Sequence, residues 1–264
     1  MASVRKAGVT VAKPRRAAAS GGERDGEPRR RILAAAEQVF AARGFDAATL
    51  REITVAAGVN IAAVNYYFSS KEELVRQVLD RRMTPYTAAR HAALEARLAE
   101  AGDTRLSVSE LAEVMVRPIV ELSRDDEAGG RSLIRLLLQV RARPSETTIR
   151  VFIDRVDPLV QRFVDAFQAA APHLSRADIY WRYNFSIGAV MQVLTDADPL
   201  SLRLKRQSRD LCDTEDDEAI VRQLVAYITA AFAGPVAAVS GEPQEKPAPA
   251  RRRTRRPPAT ASAD

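Results

Sequence analysis

The chain has one cysteine, Cys212, in 264 residues, so no disulfide framework can form within it and a reducing cytoplasm is the expected setting. Histidine is almost as scarce: His91 and His173 are the only two, each without the set of Cys, Asp or Glu companions that a zinc site needs. Cys212 lies among Asp210, Asp213 and Glu215, and such negative charge disfavours the thiolate that a nucleophile requires. There is no glycine-rich phosphate loop, nucleophile elbow, paired-carboxylate signature or Glu-x-x-His pair. No apolar run reaches membrane-spanning length, and the basic N-terminus lacks the apolar segment of a signal peptide. Alternating β-branched strand patterns and internal repeats are missing too. These absences leave an all-α chain that is not an enzyme, needs no cofactor or metal and has no membrane partner.

The length suffices for a small head and a larger helical body. The formal charge of +6 is concentrated at the ends: residues 1–27 and 240–264 carry +3 each, residues 28–76 carry +2 and residues 77–239 carry −2. The basic balance therefore belongs to the tails and says little about the folded part. Residues 1–27, rich in Ala, Arg, Gly and Ser without periodicity, read as a disordered basic arm. Residues 237–264, with Arg-rich positions 251–256 amid Pro and Ala, read as a disordered tail. For both, contact with a nucleic-acid backbone and simple solvation remain open.

The densest local signal lies between Thr49 and Leu74. Thr49 followed by Glu52 is a capping box, so a helix starts at Leu50, with Ile53 and Ala57 on its apolar side. Gly58 supplies a positive φ for the turn, and Asn60 caps the next helix, Ile61–Tyr67. That helix buries Val64, with Phe68 just beyond it, and presents Ala62, Ala63, Asn65 and Tyr66. Short side chains let a helix approach base edges in a DNA major groove, where Asn and Tyr can probe them. Ser70 and Glu73 repeat the capping pattern, and Lys71 sits on the following first turn, placed to meet a phosphate. Upstream, Pro28 suits a first helical position, and Ile32, Ala36, Val39 and Phe40 give a preceding helix ended by Gly44. Phe45 and Leu50 are expected to close a small three-helix core.

These residues, from Arg31 through ARGFDAATL to the Ser-Lys-Glu cap, resemble the N-terminal DNA-binding domain of the TetR family of transcriptional regulators. The resemblance implies a helix-turn-helix domain over 28–76 and a helical effector-binding and dimerisation domain over 77–236. It implies a dimeric repressor on double-stranded operator DNA, released by a small apolar effector. Many members carry Tyr where this chain has Asn65 and His where it has Tyr67; here the tyrosine is displaced to Tyr66. The DNA-contact set that follows is Thr49, Asn60, Ala62, Ala63, Asn65, Tyr66, Tyr67 and Lys71, with the phosphate role on Thr49 and Lys71. The run AAVNYYF with the following RRMTPY is most similar to a branch whose members often sense fatty-acyl or similar apolar acids.

Beyond the head, a helix from Lys71 meets Thr84-Pro85, where it is expected to kink or to end and restart, before continuing to Ala101. Further helices are expected from Ser107 or Ser109 with Pro118 breaking the ladder midway, over 131–143, over 145–156 and from an Asp157-Pro158 cap pair. A helix over 179–194, from Ile179 to Leu194 and capped by Ser175 and Asp178, and a last one over 219–232, from Ala219 to Phe232, complete the body. Residues 125–130 and 195–218 are connections. The resemblance implies a homodimer through the helices 179–194 and 219–232. It also implies an apolar cavity, for which Leu111, Met115, Leu137, Phe152, Phe163, Tyr180, Asn184 and Phe185 are candidate liners and Arg141 a candidate anchor for an acidic head group. A second reading, of a different class, is a helical adaptor that docks a protein partner on the aromatic face of 179–194, its head having lost DNA binding.

Overall fold

The computed structural model describes residues 21–125, 129–196 and 202–236. Residues 1–20 of the expected arm, the tail over 237–264 and parts of the two connections lie outside the described residues, whereas residues 21–27, read from the sequence as part of a disordered arm, belong to the first helix. Among the described residues there is no strand, and eleven helices follow in order. They are α1 (Gly21–Arg43), α2 (Leu50–Ala57), α3 (Ile61–Tyr67), α4 (Lys71–Ala101), α5 (Val108–Arg124), α6 (Gly130–Ala142), α7 (Glu146–Arg155), α8 (Asp157–Ala170), α9 (Arg176–Asp196), α10 (Arg203–Gln207) and α11 (Asp217–Ala233).

Helices α1 to α3 form the head around Ile32, Ala36, Phe40, Ile53, Ala57, Val64 and Phe68, closed by Leu74, Val78 and Leu79 of α4. Phe45 and Leu50 are half-buried against this cluster, with the Phe45 ring 5.5 Å from that of Phe40. The body is centred on α5, which packs on α11 and is joined there by α4, α6, α8 and α9. Aromatic stacking ties α8 to α11, where the Phe167 and Phe232 rings lie 4.5 Å apart, and Phe163 neighbours Tyr183 of α9. Full burial of side chains this large is the main force holding the layers together.

The structure departs from the sequence expectations mainly at prolines. Pro28 does not open α1: the helix begins at Gly21 and carries Pro28 inside it. Pro85 does not end α4, which runs 31 residues without interruption, and Thr84 is not a cap. Pro118 lies within α5, in the middle of the helix expected there. A proline inside a helix costs about 3 kcal/mol intrinsically. Around Pro85, Met83, Thr87 and Arg90 are buried in the same packing layer, and around Pro118 so are Met115, Val116, Ile119 and Val120; that burial outweighs one lost hydrogen bond. Asp157 is the first residue of α8 and not its cap; Val156 holds the cap position without a side-chain bond, because α7 and α8 are almost continuous.

Other caps fall where the sequence puts them. Ser107 and Glu110 form a reciprocal capping box for α5. The Ser175 hydroxyl and backbone amide donate to the Asp178 carboxylate while the Asp178 amide donates back, so α9 starts at Arg176, three residues before the expected Ile179. α11 starts at Asp217, two residues before the expected Ala219, because Asp216, not singled out in the sequence, caps it through the Ala219 amide.

Head and body meet along α1, α4 and α6. Arg82 Nε donates to the buried Glu37 carboxylate at 2.8 Å, and Gln139 of α6 donates to the Ala41 carbonyl at 3.1 Å. Lower on α4, Asp80 accepts from Arg76 at 2.7 Å and from Arg155 of α7 at 2.8 Å. At the start of α6 the chain passes so close to the end of α5 that a Cβ on Gly130 would stand 1.7 Å from the Leu122 carbonyl oxygen. Gly130→Ala therefore forces the α5–α6 corner apart and is expected to cost about 2 kcal/mol or more, read as a lower midpoint in urea unfolding. An unchanged midpoint would contradict this close approach.

Candidate nucleic-acid interface and cavity

The geometry of the head starts from three successive caps. The Glu52 amide donates to Thr49 Oγ1 at 3.2 Å, while the Thr49 amide and hydroxyl both donate to the Glu52 carboxylate at 2.9 Å. The Thr49 backbone bond and then its hydroxyl, with Arg43 nearby, hold the Glu52 pKa below the usual carboxylate range. α2 ends on Gly58 at φ 62°, and Arg31 of α1 donates to the Ala57 and Gly58 carbonyls at 2.5 and 2.9 Å, which fixes the turn from below. Asn60 Oδ1 then accepts from the Ala63 amide at 2.8 Å, so α3 leaves the turn in one direction. At the far end Ser70 caps α4 through the Glu73 amide. The Glu73 carboxylate does not reach back to the cap as the sequence pattern suggested. It accepts from Arg76 and Gln77, which pull its pKa down to about 2.

On α3, Val64 is buried and Phe68 just beyond it is buried as well, while Asn60, Ile61, Ala62, Asn65 and Tyr66 are exposed. Ala63 and Tyr67 are half-buried, Tyr67 lying edge-on to Tyr66 at 4.9 Å. Tyr66 is 79% exposed. Two candidate contacts already have partners: the Thr49 hydroxyl is bound to Glu52, and Lys71 Nζ donates to the Asp46 carbonyl at 2.9 Å. An ammonium has three donors, so Lys71 can hold that carbonyl and an anion together. The sequence does not single out Arg51, which is exposed on the first turn of α2 and whose guanidinium has no hydrogen-bond or ion-pair partner among the described residues. An uncommitted Arg on the outer side of an amphipathic helix beside a cap was the signal available.

In the body, a cavity of about 340 Å³ lies among α4, α5, α6, α7, α8 and α9. It brings together Leu137, Arg141, Phe152, Tyr180 and Asn184 of the sequence candidates. Leu111, Met115 and Phe163 do not reach it, being fully buried core residues, and Phe185 points outward at 60% exposure. Helical periodicity identifies the apolar side of each helix but not which neighbour occupies it, and these four were misplaced for that reason. Among the lining residues not anticipated from the sequence are Met83, Tyr86 and Arg90 of α4 and Tyr183, Ile187 and Met191 of α9. Arg141 is exposed at the cavity edge, whereas Arg90 is buried. A second cavity of about 250 Å³, bordered by Arg82, Pro85, Tyr86 and Arg90 of α4 and by Pro118 and Leu133, adjoins the same stretch of α4. Among the described residues no His, Cys, Asp and Glu are grouped as a metal would need, and no helix is long and apolar enough to cross a membrane.

A capped helix pair with a glycine turn and an outward second helix, on an all-helical body holding a cavity, defines a helix-turn-helix protein of two-part build. Residues 32–78 match the family described as bacterial regulatory proteins, tetR family, and residues 113–231 match the tetracyclin repressor-like, C-terminal domain. The chain belongs to the TetR family. Over 59 residues it is 41% identical to the HTH-type transcriptional repressor BepR of Brucella suis biovar 1 (strain 1330), and 44% identical to the HTH-type transcriptional regulator SrpR of Pseudomonas putida. Each alignment covers 22% of this chain and 28% of the relative. In three dimensions the fold is similar to that of the fatty acid degradation regulator FadR from Bacillus halodurans, with a TM-score of 0.54 over 79% of this chain and all of that one, at 17% identity.

If Lys71 meets a phosphate and Asn65 a base edge, their substitutions separate. Lys71→Ala is expected to weaken binding to all duplexes alike and to flatten the salt dependence by about one counterion. Asn65→Ala is expected to change which base is preferred at one position. Fluorescence anisotropy on a small panel of duplexes over a salt series reads both, and a changed base preference for Lys71→Ala would reverse the assignment.

Proposed function

We propose that the protein is a dimeric, sequence-specific DNA-binding transcriptional regulator, a repressor that a small apolar effector, an acyl or other organic acid, releases from its operator. The observation that carries this reading is the outward α3, whose small and polar residues are exposed while Val64, and Phe68 immediately after it, anchor it from beneath. A seven-residue helix alone makes too few contacts for operator-level affinity. Two copies related by a two-fold axis read half-sites about 34 Å apart, or a multiple of that, and add their contacts.

The pairing surface in this reading is the outer side of α9 and α11. Trp181 and Phe185 lie 5.6 Å apart on α9 and are 65% and 60% exposed, with Gly188 further along the same side, and Tyr227 of α11 is 54% exposed. Large aromatics beside a small residue suit close helix contact with a second copy. An adaptor would use the same patch, but would leave the exposed side of α3 without a role.

Release needs a link between cavity and head, and α4 supplies it. Its first residue, Lys71, is on the head; Met83, Tyr86 and Arg90 wall the cavity; and Arg82 between them holds Glu37 of α1. A ligand that prefers a different position of α4 shifts the separation of the two heads. It loosens DNA only as far as it prefers that position, with coupling of about 1–3 kcal/mol.

The test is a gel shift with the DNA upstream of the protein's own gene, alongside analytical ultracentrifugation. Wild type is expected to sediment as a dimer and to shift that DNA. Phe185→Glu is expected to sediment as a monomer and to lose at least about tenfold in affinity, since one head must then bind alone. A monomeric wild type that shifts no duplex would end this reading.

A further inference from the structure

Arg90 is 3% exposed in the middle of α4. Its Nη1 donates to the Tyr86 hydroxyl at 3.2 Å, and its guanidinium lies 5.3 Å from the ring centres of both Tyr86 and Phe163. Its Nε and Nη2 are buried and have no hydrogen-bond partner, and no carboxylate pairs with it among the described residues. A guanidinium keeps its charge at any physiological pH, so this is a buried cation with the three donors of its Nε and Nη2 unused. Aromatic faces attract it but accept no hydrogen bond of ordinary strength. Buried donors are nearly always satisfied, and one that is not calls for a partner from outside the chain.

The two unused nitrogens define that partner. Nε and Nη2 form one side of the guanidinium, where two N–H bonds run parallel and match the two oxygens of a carboxylate. Arg90 borders the larger cavity, whose other walls include Phe152, Val160, Ile187 and Met191. Arg141 also borders it but is exposed, where water already serves its charge and an ion pair adds little. Asp157, exposed at the same cavity, opposes a second acid group on the ligand. Beside Arg90, Tyr183 is buried, which pushes its hydroxyl pKa up and keeps it neutral, a donor for the same oxyanion.

Building on the effector reading above, we propose that the cavity takes a monocarboxylic acid with an apolar body, its carboxylate bound side-on by Arg90 and not by Arg141. The apolar body lies between α7, α8 and α9. The acid completes the hydrogen bonding of a side chain on α4, the helix that also starts at the head, so occupancy changes the environment of α4 directly.

The experiment is isothermal titration of the full chain with octanoate and with octan-1-ol, which share a body and differ in the head group. Wild type is expected to bind octanoate at least about tenfold more tightly, the difference that a charge-assisted pair of bonds makes. In Arg90→Met the ratio is expected to fall to about one, and the ligand-free variant to melt no lower than wild type, because an unpaired buried charge has been removed. Arg90→Lys, which keeps the charge without the fork, is expected to give an intermediate ratio. Equal binding of the two probes by wild type, binding of neither, or a preference that survives in Arg90→Met would overturn the proposal. The same preparations tested for DNA binding separate the two ideas: a wild type that shifts its operator without preferring the acid loses only the acid assignment. One that prefers the acid but shifts no DNA loses the regulator reading instead.

Discussion

The unbroken passage of α4 through Pro85 is the constraint on which the rest of the structure depends. A helix of 31 residues has one end among the head residues and its middle in the body, and any rotation or translation of one part is felt by the other. Pro85 removes one backbone bond where Met83, Thr87 and Arg90 are all buried, so side-chain packing keeps the chain helical across the gap in the hydrogen-bond ladder. The Thr87 hydroxyl, donating to the Met83 and Thr84 carbonyls, satisfies backbone acceptors next to the proline. Such a place is locally softer than the rest of a helix while remaining helical. It lies beside both cavities.

Around this helix the molecule uses polar groups sparingly and for orientation. In the head, Thr49, Asn60 and Ser70 each spend a side-chain oxygen on a helix start, and Arg31 spends its guanidinium on a helix end. Those bonds fix the angle between α2 and α3, which a core of a few apolar side chains would leave loose. At the junction, Glu37 and Arg82 form a largely buried ion pair. Such pairs contribute modestly to stability yet resist rearrangement, since separating them strands a charge. Arg90 differs from all of these, because its charge is buried without a counter-charge among the described residues. The tension is compatible with the fold only because Tyr86 and Phe163 surround the guanidinium.

Much of the head was legible in the residues. Thr49 with Glu52, Gly58 and Asn60 are local instructions, each acting over three or four residues, so helix starts and the turn fall where the pattern puts them. Lys71 was legible as a position but not as a bond, because its partner, the Asp46 carbonyl, is 25 residues away. In the body the same reasoning located the helices, Pro118 inside one of them, but left Pro85 as a kink or a stop. Pro85 lies within α4, where Met83, Thr87 and Arg90 are buried around it, and no local pattern records that burial.

The sequence by itself determined the all-helical class, the capped helix-turn-helix and the exposed side of α3, because capping and amphipathic periodicity are encoded within single turns of chain. Only the tertiary structure decided which apolar residues line a cavity and which are core. Leu111, Met115 and Phe163 carry the same apolar signature as Leu137 and Phe152, and it is the packing of α8 and α11 on α5 that fills one set of spaces and leaves the other empty. It also decided that Arg90 is buried. An arginine in a polar-looking stretch of α4 reads as a solvated charge until Tyr86, Phe163 and Tyr183, from three different helices, are folded around it.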